Sequence, residues 1–294
     1  MKLPQFDLVA PSSVAEAVAL LAASDGTARV ISGGQTLMPM LAYRVAAPSL
    51  LIDIRKVPGL DQITIGPDGV SLGARVRWCD IEADTRLLSA LPLLRAAIVH
   101  VAHYQIRQRG TVGGSLAHAD PAAEMPAIAV AHDATLVLQG PDGLRRVAAA
   151  SFFRGALETA LSHDEMIVSV DFPAWPAGRR WGFEELARRH GDFALAGVIA
   201  HFDMVSGRIA DAHVAVFGAC TRPHRVAEAE AALNGNEATR EVAEAAGHAL
   251  SGAIDPPGDI HASAAYRRDL AGTLAERAII EAMTRGQAAA GEGV

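Results

Sequence analysis

The sequence predicts an α+β protein with roughly two domains, and three features support this class. The chain has 294 residues, of which 50% are hydrophobic, so it can bury substantial cores. Its first part contains a strand, a glycine loop, a helix and a second strand in succession. Its last part, beyond the linker-like segment PAWPAGRR, places strands first and helices after them, which is the α+β order.

The amino-terminal segment has the clearest local signals. Ser13 and Glu16 predict a capping box, and VAEAVALLAA has the apolar spacing of a helix that ends at the turn Asp25-Gly26. ARVIS and SLLIDI predict buried strands. Between them, GGQT predicts a glycine loop, and LMPMLAYR predicts a brief irregular helix that Pro39 breaks.

The remaining elements follow from periodicity and turn signals. One hairpin is predicted from ITI and VSLGA, a second from ATLVL and LRRVAAASF, and a further strand from EMIVSVDFP. Helices are predicted at WCDIEADTRLL, LPLLRAAIVHVA and PAAEMPAIAVAH, whereas residues 104–121 predict a long loop because helical periodicity stops there. Later, strands around ALAGVIAHFDM and DAHVAVFGA precede helices at RVAEAEAAL, REVAEAAGHAL and AAYRRDLAGTLAERAIIEAM.

These elements give a predicted domain division. We expect a first domain over residues 1–175, with subdomains of about 1–55 and 56–175. A smaller domain, built from an antiparallel sheet and helices, is expected over residues 179–286. The small and polar residues of 287–294 predict a flexible tail.

Composition and charge exclude several classes of function. The formal net charge is -7 and the arginines are scattered, so the chain has no basic stripe for a nucleic-acid backbone. Pro4 and Asp7 interrupt the apolar core that a signal peptide needs, and no later apolar run has membrane-spanning length, so we expect a cytoplasmic protein. Cys79 and Cys220 are too few for an iron-sulfur cluster and are expected to be small buried residues.

Two glycine motifs carry the strongest functional signal. The first, Ser32-Gly33-Gly34-Gln35-Thr36, follows a strand and continues into Leu37. Paired glycines let backbone N–H groups approach an anion, although a plain tight turn explains one such pair at least as well. Neither the P-loop nor the GxGxxG spacing is present. The second motif, Thr111-Val112-Gly113-Gly114-Ser115, repeats this chemistry, and together the two predict a clamp for the phosphates of a dinucleotide.

Polar residues directly after the second motif suit the rest of such a ligand. Asp120 can accept hydrogen bonds from sugar or ribityl hydroxyls, and it can also cap the helix predicted at PAAEMPAIAVAH. His118 with Asp120 resembles part of a metal site, but a single HxD pair without further ligands is a weak signal.

The segments SGGQTLMPMLAYRVAAPSLLIDI and IRQRGTVGGSLAHADPAAEMPA resemble the two flavin-binding motifs of the medium subunits of molybdenum hydroxylases. Aerobic carbon monoxide dehydrogenase and the flavin domain of xanthine dehydrogenase belong to this group. The resemblance continues through FEELARRHGDFALAGVIA, RPHRVAEAEAALNG and AAYRRDLAGTLAERAI, so it covers nearly the whole chain.

The resemblance implies a fold, a cofactor and a set of contacts. The fold is a two-subdomain FAD-binding fold of the PCMH type, followed by a smaller C-terminal α+β domain. The glycine motifs hold the FAD pyrophosphate, and Asp120 contacts the cofactor. The residues that the resemblance places at FAD are Ser32, Gly33, Gly34, Gln35, Thr36, Leu37, Ile106, Thr111, Gly113, Gly114, Ser115, His118, Asp120, Ile167 and Phe193.

The sequence departs from the family pattern at a few positions. Gln35-Thr36 stands where many relatives have His-Ser, and Ser115 stands where many have Asn. At Glu184-Glu185, some relatives place a Lys close to the flavin.

The resemblance also implies a role without catalytic residues. A large molybdopterin subunit oxidises the substrate, a small iron-sulfur subunit relays electrons, and FAD in this chain passes them to an external acceptor, in an expected dimer of heterotrimers. Two alternatives remain open at this point. One is a self-contained flavin oxidase or reductase with its own substrate pocket, and the other is a flavin-free scaffold.

Overall fold

The computed structural model describes the backbone of residues 2–291 and the side chains of residues 2–285. The described chain contains helices and strands throughout, which confirms the α+β class. The strands are β1 (Asp7–Val9), β2 (Ala28–Ile31), β3 (Leu50–Asp53), β4 (Ile63–Gly66), β5 (Gly69–Gly73), β6 (Thr135–Gly140), β7 (Gly143–Ala148), β8 (Phe153–Gly155), β9 (Glu158–Thr159), β10 (Met166–Pro173), β11 (Arg180–Ala187), β12 (Ala194–Val205), β13 (Arg208–Phe217) and β14 (His224–Arg225).

The α-helices lie between and after these strands, with α3 to α8 and α10 to α12 each in one series uninterrupted by strands. Two single 3-10 turns occur in addition, at Ile54–Lys56 and Ile98–His100. The α-helices are α1 (Val14–Ala23), α2 (Leu37–Ala42), α3 (Trp78–Ala83), α4 (Leu87–Ala90), α5 (Pro92–Ala97), α6 (Tyr104–Arg107), α7 (Val112–His118), α8 (Glu124–Ala131), α9 (Ala149–Phe152), α10 (Ala227–Leu233), α11 (Arg240–Ala253) and α12 (Ala264–Gly291).

The chain divides into two compact units. The first comprises Met1–Ala90, His103–Ala119 and Asp133–Ala174, and the second comprises Leu91–Ala102, Asp120–His132 and Trp175–Val294. Two segments from the first half of the sequence thus belong to the second unit. The domain limits expected from the sequence stay a prediction, and residues 292–294 of the expected tail lie outside the described residues.

The first unit contains two main sheets. β1, β3 and β2 form a parallel three-stranded sheet with β3 in the centre, where Ile52 is fully buried. β4, β5, β10, β6 and β7 form an antiparallel sheet in that order. Both hairpins expected from the turn signals are present, as β4–β5 and β6–β7.

Helix α1 has the predicted bounds and begins with a cap. Ser13 Oγ accepts the N–H of Glu16 at 3.1 Å, as the capping box requires. The Glu16 carboxylate, however, accepts from the N–H and Oγ of Ser12 rather than from the N–H of Ser13. These hydrogen bonds lower the pKa of Glu16 below its usual range.

Two local predictions were wrong. Pro39 does not break α2, because it lies in the first turn, where a missing N–H leaves no helical hydrogen bond unmade. The stretch 104–121 is not a long loop, since it contains α6 and α7.

The second unit packs helices against one antiparallel sheet, ordered β11, β12, β13 and β14. Helices α10, α11 and α12 contribute the apolar faces that cover it, and α8 also contacts β12, β13 and β14. The core residues include Val198, Phe202, Val214, Leu250 and Ile279, all fully buried. This arrangement confirms the predicted antiparallel sheet with helices. A search of the described residues finds no helix with the length and hydropathy of a transmembrane segment.

A cluster of buried histidines joins α8 to the sheet inside the second unit. The carbonyl oxygen of Ala131, at the end of α8, accepts from His201 Nε2 and from His213 Nδ1, each at 2.8 Å. The rings of His201 and His213 lie 4.4 Å apart, and His132 lies 5.2 Å from His201. Burial, together with these neighbouring histidines, holds the pKa of His201 well below its usual range.

We predict that this cluster makes the protein sensitive to acid. The unfolded chain protonates His201 near pH 6.5, whereas the folded chain resists protonation, so stability is present above that pH and is lost as the pH falls. We expect His201→Gln to lower the slope of unfolding free energy against pH by about 1.4 kcal/mol per pH unit, which corresponds to about one proton. Urea unfolding between about pH 6.5 and 5 measures this slope. The matched variant at the exposed His261, His261→Gln, should keep the wild-type slope. Equal slopes in all three proteins would contradict this prediction.

Candidate functional site

The first glycine motif connects β2 to α2 in the first unit. Gly34 has φ of +71°, a conformation that a residue with a Cβ adopts only with strain. The amide of Gln35 donates to the carbonyl of Gly33 at 3.0 Å and so stabilises the turn. Helix α2 then begins after Thr36, whose side chain makes no capping hydrogen bond.

The backbone N–H groups of this motif are available to a ligand. For the five consecutive N–H groups from Gly33 to Leu37, the described residues offer no acceptor within hydrogen-bond distance. Consecutive N–H groups in a glycine turn form a concave binding site for an anion. The segment therefore has the donors that a phosphate needs.

A cavity of about 470 Å³ adjoins these donors. Its apolar wall includes Leu8, Ile31, Met38 and Leu51, so the cavity has an aliphatic surface on which an apolar ring system can lie. The polar part of its lining consists of Gly33, Gly34, Gln35, Asp53, Arg55 and Arg109.

The charged residues of this cavity were not among the residues selected from the sequence. The Arg55 guanidinium lies 2.6 Å from the Asp53 carboxylate and lowers the pKa of Asp53. For Arg109, the described residues contain no ion-pair partner, so its positive charge is available to an anionic ligand. One sequence signal existed, since Asp53 ends a parallel strand and Arg109 lies two residues before the second glycine motif.

The two motifs meet inside the first unit. A Cβ on Gly33 would come within 2.0 Å of the carbonyl oxygen of Arg109, so only glycine allows this approach. The Thr111 hydroxyl donates to Ser32 Oγ at 3.1 Å. The two motifs are thus in direct contact, while their predicted joint binding of phosphates stays a prediction.

The second motif differs in chemistry from the prediction. Thr111 is the N-cap of α7, and residues 112–115 form its first turn rather than a loop. The N–H groups of Val112, Gly113 and Gly114 donate to Val76 O, Ala74 O and Thr111 Oγ1, respectively. These N–H groups already have acceptors, so this motif offers hydroxyls and a packing surface rather than a second free anion nest.

Gly113 has a packing role. A Cβ there would come within 2.6 Å of the Ala74 Cβ and 2.7 Å of its carbonyl oxygen. The glycine therefore allows α7 to lie directly against the chain that follows β5.

The other predicted contact residues occupy different positions. Ile106 lines the cavity, Ile167 is buried in β10, and His118 ends α7. Asp120 and Phe193 belong to the second unit. Asp120 accepts the N–H of Ala122 at 2.9 Å and does not cap α8, and Phe193 is exposed over 66% of its surface.

The described part of the chain gives little support for metal binding or thiol chemistry. No group of three or more His, Cys, Asp or Glu side chains there is arranged to hold a metal ion. Cys79 and Cys220 are free thiols, and burial raises the pKa of Cys220 to about 12.

An open run of N–H donors beside an aliphatic cavity, with Arg109 in its wall, suits a ligand that has both an anionic group and an apolar ring system, as a nucleotide does. Comparison with known families specifies the nucleotide. Residues 4–175 match the FAD binding domain in molybdopterin dehydrogenase, and residues 181–282 match the CO dehydrogenase flavoprotein C-terminal domain.

Individual proteins match over the same length. The chain is 41% identical to the nicotine 6-hydroxylase medium subunit of Paenarthrobacter nicotinovorans, over 97% of this chain and 100% of that one. It is 35% identical to the carbon monoxide dehydrogenase medium chain of Hydrogenophaga pseudoflava, over 96% of this chain and 98% of that one. Among solved structures, quinoline 2-oxidoreductase from Pseudomonas putida 86 matches with a TM-score of 0.93 and 37% identity, over 97% of this chain and 99% of that one.

The chain therefore belongs to the family of FAD-binding medium subunits of molybdenum hydroxylases. The family resemblance, the fold and the FAD cofactor expected from the sequence are confirmed. The chain is one subunit of an oxidoreductase complex, and this supports the subunit role over that of a self-contained flavin enzyme.

Thr111 gives a test of the junction between the motifs. Thr111→Ala removes the α7 cap and the bond to Ser32, so we expect a loss of about 1 kcal/mol in unfolding free energy. Thr111→Ser keeps the hydroxyl oxygen, so its loss of unfolding free energy should be less than half the loss in Thr111→Ala. Urea unfolding monitored by circular dichroism measures both. If the two variants are equally destabilised, the lost methyl group and not the hydrogen bonds explains the effect.

Proposed function

We propose that this chain collects electrons on its FAD and passes them to an external acceptor. The electrons come from a large molybdopterin subunit through a small iron-sulfur subunit, since FAD can take up electrons singly and release them in pairs. The full-length similarity to medium subunits supports this role. We further propose a dimer of heterotrimers, located in the cytoplasm.

The proposed binding site assigns different tasks to its residues. The N–H groups from Gly33 to Leu37, assisted by Arg109, hold the pyrophosphate. The hydroxyls of Ser32, Thr111 and Ser115 offer further hydrogen bonds. Ile106 and Ile167 supply apolar contacts. His118, Asp120 and Phe193 are proposed as contacts on the family resemblance alone.

Proton transfer and nucleophilic attack on the substrate have no place in this chain. FAD, when bound, supplies the redox chemistry, and the residues of the chain bind it, orient it and set its surroundings. We also propose that the two domains comprise residues 1–175 and 179–286.

The observation that carries the proposal is the open run of N–H donors beside the cavity. Gly33→Ala should push the motif away from the Arg109 carbonyl, and it should weaken FAD binding at least tenfold, or about 1.4 kcal/mol. Gly66→Ala is the matched control, because an added Cβ there meets nothing within 4 Å. Flavin absorbance per chain and FAD titration of the apoprotein measure both variants.

Two results would overturn the proposal. A folded Gly33→Ala protein with wild-type FAD affinity would show that the motif does not hold the cofactor. A wild-type protein that oxidises a small substrate without partner subunits would instead favour a self-contained flavin enzyme.

A further inference from the structure

A short segment of the first unit forms part of the cavity wall. Residues 104–110, the α6 segment, contain α6 and end directly before Thr111 of the second motif. Ile106 and Arg109 of this segment line the cavity, and the Arg109 carbonyl is the group that Gly33 approaches. The position of the α6 segment therefore sets both the cavity wall and the contact with the first motif.

The α6 segment cannot hold this position by itself. Helix α6 has only 4 residues. Its hydrogen bonds are local, such as those from the N–H groups of Ile106 and Gly110 to the carbonyls of His103 and Ile106. A helix of this length is unstable alone in water, because its nucleation costs more than so few hydrogen bonds return. Contacts with other elements must therefore fix the segment.

Helix α3 supplies such contacts within the same unit. The N–H of Trp78 donates to the carbonyl of Gly110 at 3.2 Å. The Trp78 side chain is buried, and a Cβ on Gly110 would come within 2.6 Å of its indole nitrogen. Arg107 Nε lies 2.8 Å from Glu82 Oε1. The α6 segment is thus attached to α3 at two points, Arg107 and Gly110.

The Glu82–Arg107 ion pair is the charged part of this attachment. The exposed fractions of the two side chains are only 14% for Arg107 and 23% for Glu82. Water and salt therefore screen this pair less than a pair on the surface. Removing one charge of a largely buried pair leaves the other without compensation. Loss of the Glu82 carboxylate should therefore loosen the α6 segment.

Two arginines of the α6 segment have different surroundings. Arg107 forms an ion pair with Glu82 of α3, whereas for Arg109 the described residues contain no ion-pair partner. The same segment contacts α3 through Arg107 and Gly110, and contacts Gly33 through the Arg109 carbonyl. Arg107 therefore anchors the segment, and the guanidinium of Arg109 is left for a ligand.

We propose that Glu82 is a positioning residue for FAD binding. Through Arg107 it holds the α6 segment against the first motif, and this keeps Ile106 and Arg109 in the cavity wall. Its action on the cofactor is indirect, since its own contact is with Arg107. This inference rests on the proposed function.

FAD titration of the apoprotein tests the proposal. Glu82→Gln should weaken FAD binding about fivefold, because the cavity wall is no longer held in place. Glu165→Gln is the matched control, since it removes an ion pair of the same unit, with Arg145 at 2.6 Å, outside the α6 segment and the cavity lining. This control should bind FAD with wild-type affinity even if its Tm falls.

A double-substitution cycle tests whether Glu82 acts through the α6 segment. In Gly33→Ala, the added Cβ meets the Arg109 carbonyl, which the attachment to α3 keeps from moving away. Because Glu82→Gln loosens the segment, Gly33→Ala should weaken FAD binding less in the Glu82→Gln background than in wild type. Fully additive losses would mean that Glu82 acts by another route and would overturn the proposal.

Hydrogen exchange of the apoprotein gives a readout without FAD. The amides of residues 104–110 should exchange faster in Glu82→Gln than in wild type, and at the wild-type rate in Glu165→Gln. If Glu82→Gln fails to fold, Arg107→Gln removes the other half of the ion pair and should give the same changes. Wild-type FAD affinity in a folded variant of this pair would overturn the proposal, whatever its exchange rates.

These measurements also separate the role of Glu82 from FAD binding itself. A wild-type protein that takes up no FAD, or a folded Gly33→Ala protein with wild-type affinity, contradicts the proposed function. If Gly33→Ala weakens FAD binding and Glu82→Gln does not, only the positioning role of Glu82 is contradicted.

Discussion

The close approach between Gly33 and the carbonyl of Arg109 is the constraint on which the candidate site depends. Two backbone segments that are distant in sequence come so close here that a residue with a Cβ does not fit at position 33. The contact fixes the first motif in a turn whose N–H groups have no acceptor among the described residues. Because the fold already holds those donors in place without an acceptor among the described residues, the turn is ready for an anion and costs little to reorganise when one binds. The Thr111–Ser32 hydrogen bond adds a second link at the same place.

The two glycine motifs look alike in sequence but differ physically. In the first, glycine provides a positive φ at Gly34 and leaves donors free. In the second, Gly113 allows a helix to lie against Ala74, whose carbonyl also accepts its N–H. The first motif therefore offers N–H donors, and the second motif supports the packing of α7. The clamp of two phosphate loops expected from the sequence stays a prediction, and the N–H donors without acceptors among the described residues lie in the first motif.

Local signals predicted most elements correctly, because caps and turns act over a few residues. Helix α1 and both hairpins are examples. The start of α7 was missed because Gly113 and Gly114 lower helix propensity, while the acceptors that fix this turn, Ala74 and Val76, lie far away in sequence. The charged wall of the cavity was missed for the same reason. The place of Arg109 before the second motif was a signal, but its position in the cavity wall depends on the packing of this segment against Gly33, which spacing along the chain does not show.

A subunit that carries FAD for a larger complex acts on the cofactor through the charges and dipoles around it. In the proposed site, the N–H groups from Gly33 to Leu37 and the guanidinium of Arg109 present positive potential to one cavity, and the turn holds the N–H groups in place before a ligand binds. Asp53 does not cancel this potential, because the Arg55 guanidinium compensates its carboxylate. An anionic group at the turn therefore meets donors that need little reorganisation, while the aliphatic wall of the same cavity suits a ring system.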